Sequence, residues 1–317
     1  MPTNTTHRLR PLATLGLLTA LAACAGSVPE VTLTPEVAPT SAFTPTAEAT
    51  PTGAPGGVAT ASDLVFLTRI EDGAVVTLDI HFPAEPVDAP IVIEPIRSAV
   101  DDLVEQGVIV VTIDPDDLPG DEGPGGPEEI VAARQDPPES LECAIRFARA
   151  RASEVGNDDP TVVLSGVSFG GGLAVQVGLF GDTLAASWDE FAAVGGPPRQ
   201  FDCEVTGGST HVDAVVGMAG TYDLCMPIID GMYGRAYQQE HDPEMQEFLA
   251  SAIGANPDLK LRLIHGTYDE IPVSYADEFA EVLRNAGYDA QLITWAGGHQ
   301  APPTELFLTT VMEVLGP

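Results

Sequence analysis

Short, mostly apolar runs alternate with helix-length amphipathic stretches along most of this chain. The apolar runs lie at residues 91–93, 108–113, 162–164, 212–218, 261–264 and 290–294. Stretches with helical spacing separate them, chiefly at 98–106, 139–154, 274–286 and 304–315. Strands that are apolar on both faces need cover on both faces, which is typical of a parallel sheet. We therefore predict an α/β fold with helices on both faces of a mostly parallel central sheet.

An antiparallel hairpin is predicted at the start of this sheet. The segments 64–70 and 75–82 flank an Asp-Gly turn, which favours a tight connection between neighbouring strands. The folded domain is expected to cover residues 61–317, with no internal repeats.

The first 60 residues differ from the rest in composition. A short basic region precedes an apolar run of small residues at 12–23 that is too short to span a bilayer, and Cys24 follows directly. This pattern predicts a signal peptide over residues 1–23. It resembles a prokaryotic lipoprotein signal, which implies cleavage before Cys24 and acylation of its thiol. A plain signal peptide followed by an unrelated cysteine is the alternative.

Residues 24–60 are rich in proline, threonine, alanine and glycine. Such a segment buries too little apolar surface to offset its chain entropy, so we predict a disordered tether. A lipid on Cys24 would make the membrane a partner through this tether. We accordingly expect an extracytoplasmic protein that is anchored to the cell membrane by lipid, or is otherwise secreted.

The charge of the chain excludes one class of partner. There are 47 acidic against 13 basic side chains, a formal net charge of −34. Nucleic-acid binding is excluded because no basic patch is available to neutralise phosphates. Two interpretations remain open: an acidic surface suited to high salt, where self-repulsion is screened, and an acidic secreted protein.

Four cysteines bear on the redox state of the protein. If Cys24 carries lipid, Cys143, Cys203 and Cys225 remain. One disulfide is expected outside the cytoplasm, and the sequence does not choose among the three pairings. Three buried thiols are the alternative. No cysteine pair or cysteine–histidine cluster has the spacing of metal ligands, so no metal is predicted.

One short motif indicates chemistry. The sequence GVSFG at residues 166–170 follows an apolar run and precedes a helix-forming stretch. A serine in such a strand–turn–helix is lifted above the sheet edge with its hydroxyl exposed. The two glycines are expected to let helix and strand pass without a Cβ clash. Ser168 is thus a candidate nucleophile, and a structural turn serine is the alternative.

A base and an acid follow at later strand ends. Asp269 lies in HGTYDE at 265–270 after one predicted strand, and His299 lies in GGH at 297–299 after the next. The carboxyl ends of parallel strands meet at one sheet edge, where ligands bind in open α/β sheets. Glu270 is a rival acid. His265 is expected to make a structural hydrogen bond, and the other histidines lack a position after a strand.

Together with AGTYD at 219–223, these three motifs resemble the α/β-hydrolases of the esterase, lipase and dienelactone-hydrolase branch. The resemblance implies Ser168 as nucleophile, His299 as general acid–base and Asp269 as orienting acid, with a possible cap at residues 222–258. It implies a serine hydrolase that cleaves small carboxylic esters through an acyl-enzyme without a cofactor. A catalytically weak surface lipoprotein that uses the fold for binding, and a peptidase of the same fold, are the alternatives.

One segment departs from that family. Its members usually have His-Gly after the third strand, where this chain has EPIR at 94–97. The backbone N–H of Phe169 is expected to be one oxyanion donor, and that of Ile96 the second, since proline has no N–H. The carboxylate of Glu94 would oppose a nearby oxyanion. Contact of Glu94 and Arg97 with substrate, and an ion pair between them, both remain open.

Overall fold

The computed structural model describes residues 58–113, 138–193, 199–220, 222 and 251–316. The predicted signal peptide, residues 24–57 of the predicted tether with Cys24, and residues 223–250 of the possible cap with Cys225 lie outside these residues. The tether prediction extends too far at its end, because the first strand begins at Ala59. No helix in the described ranges is long and apolar enough to cross a membrane.

The described chain forms a nine-stranded mixed sheet with the order β6-β1-β2-β4-β3-β5-β7-β8-β9. The strands are β1 (Ala59–Arg69), β2 (Val75–Phe82), β3 (Ile91–Ile93), β4 (Ile109–Ile113), β5 (Val162–Val167), β6 (Phe201–Cys203), β7 (Ala214–Met218), β8 (Lys260–Gly266) and β9 (Asp289–Trp295). In the order of the sheet, the six strands from β4 through β3, β5, β7 and β8 to β9 pair in parallel. β1 and β2 pair antiparallel, as do β1 with β6 and β2 with β4. The predicted α/β class is confirmed.

Helices cover both faces of this sheet. They are α1 (Val100–Glu105), α2 (Glu139–Glu154), α3 (Phe169–Phe180), α4 (Leu184–Ala193), α5 (Val273–Ala286) and α6 (Thr304–Leu315), with 3₁₀ turns at Arg97–Ala99 and Gly181–Thr183. Successive strand residues alternate between two cores: Val215 packs with residues of α2, α3 and α5, and Val216 with residues of α1 and α6. This alternation explains why the parallel strands are apolar on both faces.

A disulfide joins Cys143 in α2 to Cys203 in β6, with 5.1 Å between their Cα atoms. It selects one of the three pairings that the sequence left open. The bond ties the edge strand of the sheet to a helix that packs on β1 and β3. Strand β6 itself was not predicted from the sequence.

Candidate active site

The turn between β5 and α3 holds Ser168 in an unusual conformation. Its φ is +57° and its ψ is −123°, a region that residues other than glycine rarely occupy. The Ser168 N–H donates to the Met218 carbonyl at the end of β7, with 2.8 Å between N and O. The turn is therefore fixed to the neighbouring strand, and the serine lies at the carboxyl edge of the sheet.

Glycine is required at only part of this turn. A Cβ on Gly166 would lie 2.4 Å from the Gly170 carbonyl oxygen, and one on Gly171 would lie 3.0 Å from the carbonyl oxygens of Gly166 and Met218. A Cβ on Gly170 meets nothing within 4 Å. The prediction that both motif glycines prevent a Cβ clash therefore agrees with the structure at Gly166. It is wrong at Gly170, where there is space for a Cβ.

The three side chains named from the sequence lie in one hydrogen-bonded line. The Ser168 Oγ is 2.7 Å from the His299 Nε2. The His299 Nδ1 is 3.0 Å from Asp269 Oδ1 and 3.2 Å from Oδ2. The Asp269 side chain is fully buried, and that of His299 is 20% exposed. Residues that are 131 and 30 positions apart in the sequence thus meet at one edge of the sheet.

The partners determine which nitrogen of His299 carries the proton. An ionised carboxylate only accepts hydrogen bonds, so the proton of the neutral imidazole lies on Nδ1 and points to Asp269. The Nε2 lone pair then accepts from the Ser168 hydroxyl. A hydroxyl, an imidazole and a carboxylate bonded in this order are the groups that nucleophilic catalysis by serine requires.

The rival acid and the rival histidines of the described ranges lie elsewhere, and His241 is outside those ranges. Glu270 is exposed, and Asp269 is the carboxylate in contact with His299. His265 is fully buried and bonds the Ile271 carbonyl at 2.8 Å, the structural hydrogen bond expected of it. His81 contacts Thr60, and His211 lies 3.6 Å from Asp213.

The loop that carries the acid is in direct contact with the loop that carries the histidine. The N–H of Thr267 donates to Trp295 O, and that of Tyr268 donates to Gly297 O, each at 2.8 Å. A Cβ on Gly266 would lie 2.3 Å from Gly297 O. The absence of a Cβ on Gly266 therefore allows the two loops to lie in contact. The sequence pattern around Gly266 did not predict this requirement.

The two residues predicted to donate to an oxyanion each lie at the beginning of a helical element. Phe169 opens α3, and the first N–H groups of a helix have no partner within it. Ile96 lies just before the 3₁₀ turn that follows β3, and β3 pairs directly with β5. The Ser165 hydroxyl donates to Glu94 O at 2.6 Å, so the loop after β3 is bonded to the strand that leads to Ser168.

The carboxylate of Glu94 is directed to the opposite side of β3. Its Oε1 accepts the N–H of Ile113 in β4, whereas Ser168 follows β5 on the other flank of β3. The φ of Glu94 is +58°, which turns the chain sharply at this point. Burial raises the pKa of Glu94 to about 7, against the lowering effects of the Ile113 bond and the charge of Arg97. The Glu94 side chain thus ties the loop after β3 to the end of β4.

Within the described residues no group of three or more histidine, cysteine, aspartate or glutamate side chains could hold a metal ion.

No family model matches the sequence. No curated protein matches it either. Among solved structures the chain is similar to a bifunctional GH43-CE protein of Bacteroides eggerthii, at 19% identity and a TM-score of 0.54. That match covers 81% of this chain and 38% of the other, so the chain spans well under half its length. At this level of identity the likeness is one of fold.

Two further similar structures have lower scores. One is a truncated form of a carbohydrate esterase from gut microbiota, at 19% identity and a TM-score of 0.48 over 79% of this chain and 92% of the other. Another is esterase 2 of Thermogutta terrifontis, phosphoramylated by tabun, at 17% identity and 0.49 over 83% and 94%.

Proposed function

We propose that residues 61–317 form an α/β-hydrolase domain that cleaves carboxylic esters through an acyl-enzyme on Ser168. The observation that carries this proposal is the continuous line from the Ser168 Oγ through His299 to Asp269, with contacts of 2.7 and 3.0 Å. The strained φ of +57° at Ser168 supports it, because such backbone conformations cluster at functional sites.

In the first half of the proposed reaction, the Ser168 Oγ attacks the ester carbonyl carbon while His299 Nε2 takes its proton. Asp269 stabilises the imidazolium that forms and remains ionised. In this scheme the N–H groups of Phe169 and Ile96 donate to the oxyanion of the tetrahedral intermediate. His299 then returns the proton to the leaving alcohol, and the acyl group remains on Ser168.

In the second half, water attacks the acyl-enzyme and His299 again takes the proton. Collapse of the second tetrahedral intermediate releases the carboxylic acid and restores the serine. Serine, imidazole and carboxylate suffice for each proton transfer, so the scheme requires no cofactor.

Esters are proposed rather than amides because an alkoxide leaves more readily than an amine. One oxyanion donor typically contributes ~10²–10³ in turnover, so the unusual loop at 94–97 favours the less demanding substrate. Nothing in the described residues favours the binding-scaffold or the peptidase alternative.

Hydrolysis of short-chain aryl esters, measured at several salt concentrations, tests the proposal. Ser168→Ala should lower kcat by ~10⁴ or more, as expected when a nucleophile is removed. Ser98→Ala is the matched control, because Ser98 is an exposed serine whose hydroxyl bonds Thr304 at 2.7 Å. Hydrolysis that survives Ser168→Ala would show that another group performs the reaction.

We also propose that Cys24 is acylated and that the tether at 24–60 holds the domain outside the cytoplasm. The disulfide between Cys143 and Cys203 supports an oxidising compartment. Expression of the full chain with Cys24→Ser should move the protein from the membrane fraction to the soluble fraction, with loss of the lipid mass. A variant that stays with the membrane would contradict anchoring through this cysteine.

A further inference from the structure

A second imidazole lies beside the Asp269 carboxylate. His265, the penultimate residue of β8, is fully buried, and its Nε2 is 2.8 Å from Ile271 O and 3.6 Å from Asp269 Oδ2. We propose that His265 is a positioning residue that orients Asp269 toward His299 by fixing Ile271. This inference rests on the proposed function, because the orientation matters to the proposed proton relay from Ser168 through His299 to Asp269.

The contacts of His265 determine which of its nitrogens donates. The Ile271 carbonyl only accepts hydrogen bonds, so Nε2 carries a proton and donates it. The Nδ1 is buried and has no hydrogen-bond partner in the described chain. The Nε2–H group thus lies between the Ile271 carbonyl and the Asp269 carboxylate.

Both backbone polar groups of Ile271 serve this arrangement. Its carbonyl accepts the His265 N–H, and its own N–H donates to Asp269 Oδ1 at 2.8 Å. The Ile271 side chain is 2% exposed, so packing restrains it as well. Ile271 thus connects the buried His265 imidazole to the Asp269 carboxylate through its two backbone hydrogen bonds.

Beyond its backbone bonds to the loop that carries His299, this loop has few buried side chains. Thr267, Tyr268 and Glu270 are exposed, whereas the side chains of Asp269 and Ile271 are buried. The segment joins β8 to α5, which begins at Val273. Without the His265 donor, the Ile271 carbonyl would be left unpaired in a buried site, and the loop would relax to satisfy it. That relaxation would rotate the carboxylate away from His299 Nδ1.

A matched pair of amide variants tests the inference. The longer amide of His265→Gln can place an N–H near the position of Nε2, whereas the shorter amide of His265→Asn cannot reach it. His265→Gln should keep kcat within about 3-fold of the wild type, and His265→Asn should lower it about 10- to 100-fold with little change in KM. Leu263→Ala, a buried change on the same strand, controls for lost stability.

NMR titration of the His299 imidazole supplies a readout that does not need turnover. A misplaced carboxylate stabilises the imidazolium less, so His265→Asn should move the titration midpoint to lower pH, and Leu263→Ala should not. Equal midpoints in the Gln and Asn variants, or an equal shift in Leu263→Ala, would overturn the positioning role. A wild type that cleaves no ester would refute the proposed function and still leave this comparison decisive.

Discussion

Replacement of Gly266 by alanine tests how closely the relay depends on the contact between its two loops. A Cβ at this position would lie 2.3 Å from Gly297 O and 2.6 Å from Gly298 O. Real Cβ atoms essentially never approach another atom closer than 3.0 Å, so the two loops must separate by at least about 0.7 Å. Both atoms that a Cβ would meet belong to backbone and cannot move aside by a change of rotamer.

That separation acts directly on the relay, because Asp269 follows Gly266 and His299 follows Gly298. A displacement near 1 Å between catalytic groups typically costs ~10² in rate. We therefore expect Gly266→Ala to lower kcat for ester hydrolysis by about 10²-fold. Forcing an extra methyl into a packed site also costs roughly 1–3 kcal/mol of unfolding free energy.

The assay is ester hydrolysis by folded protein, with stability measured in parallel by denaturant unfolding. Gly298→Ala is the matched control: it adjoins His299, and a Cβ there would lie 3.7 Å from its nearest neighbour, Tyr268 O. It should keep kcat within about 3-fold of wild type, since that is an ordinary van der Waals contact. Equal activity of the two variants would refute the argument that close contact of the loops sets the geometry of the relay.

Two further predictions concern stability. The pKa of Glu94 is raised from 4.5 to about 7, so the folded protein binds this proton more tightly than the unfolded chain does. The contribution to the free energy of unfolding is therefore fully present below about pH 4.5 and is lost as the pH rises toward 7. Glu94→Gln, which keeps an acceptor for the Ile113 N–H, should remove up to about 3 kcal/mol of this pH dependence in denaturant unfolding from pH 4 to 8; an unchanged slope would contradict it. Replacing both Cys143 and Cys203 by serine opens a loop of 60 residues and should cost about 4 kcal/mol of unfolding free energy, with an unchanged denaturation midpoint as the contrary result.

The sheet edge that carries the relay could be predicted because its signals are local. Mostly apolar runs mark strands, and a polar residue in the loop after such a run is placed near the carboxyl end of the strand. Ser168, Asp269 and His299 each follow such a run, and the structure brings them together. The roles of the three residues were then assigned from their order along the chain, which is serine, aspartate and histidine.

Other features depend on contacts between distant segments, which no local pattern reports. The strand Phe201–Cys203 has three residues and pairs with β1 from more than 130 positions away. The direction of the Glu94 carboxylate is set by a positive φ and by the Ile113 N–H in the adjacent strand. The spare room at Gly170 likewise follows from how the turn lies against its neighbours, so the motif alone overstated the need for glycine there.

Covalent trapping of the nucleophile is the most direct measurement. A fluorophosphonate that reacts with an activated serine should leave one adduct per chain, and peptide mass spectrometry should locate it on Ser168. Ser168→Ala should abolish labelling, and His299→Ala should slow it by ~10² or more, because the hydroxyl loses its base. An adduct on another residue, or labelling that persists in Ser168→Ala, would contradict the proposed relay.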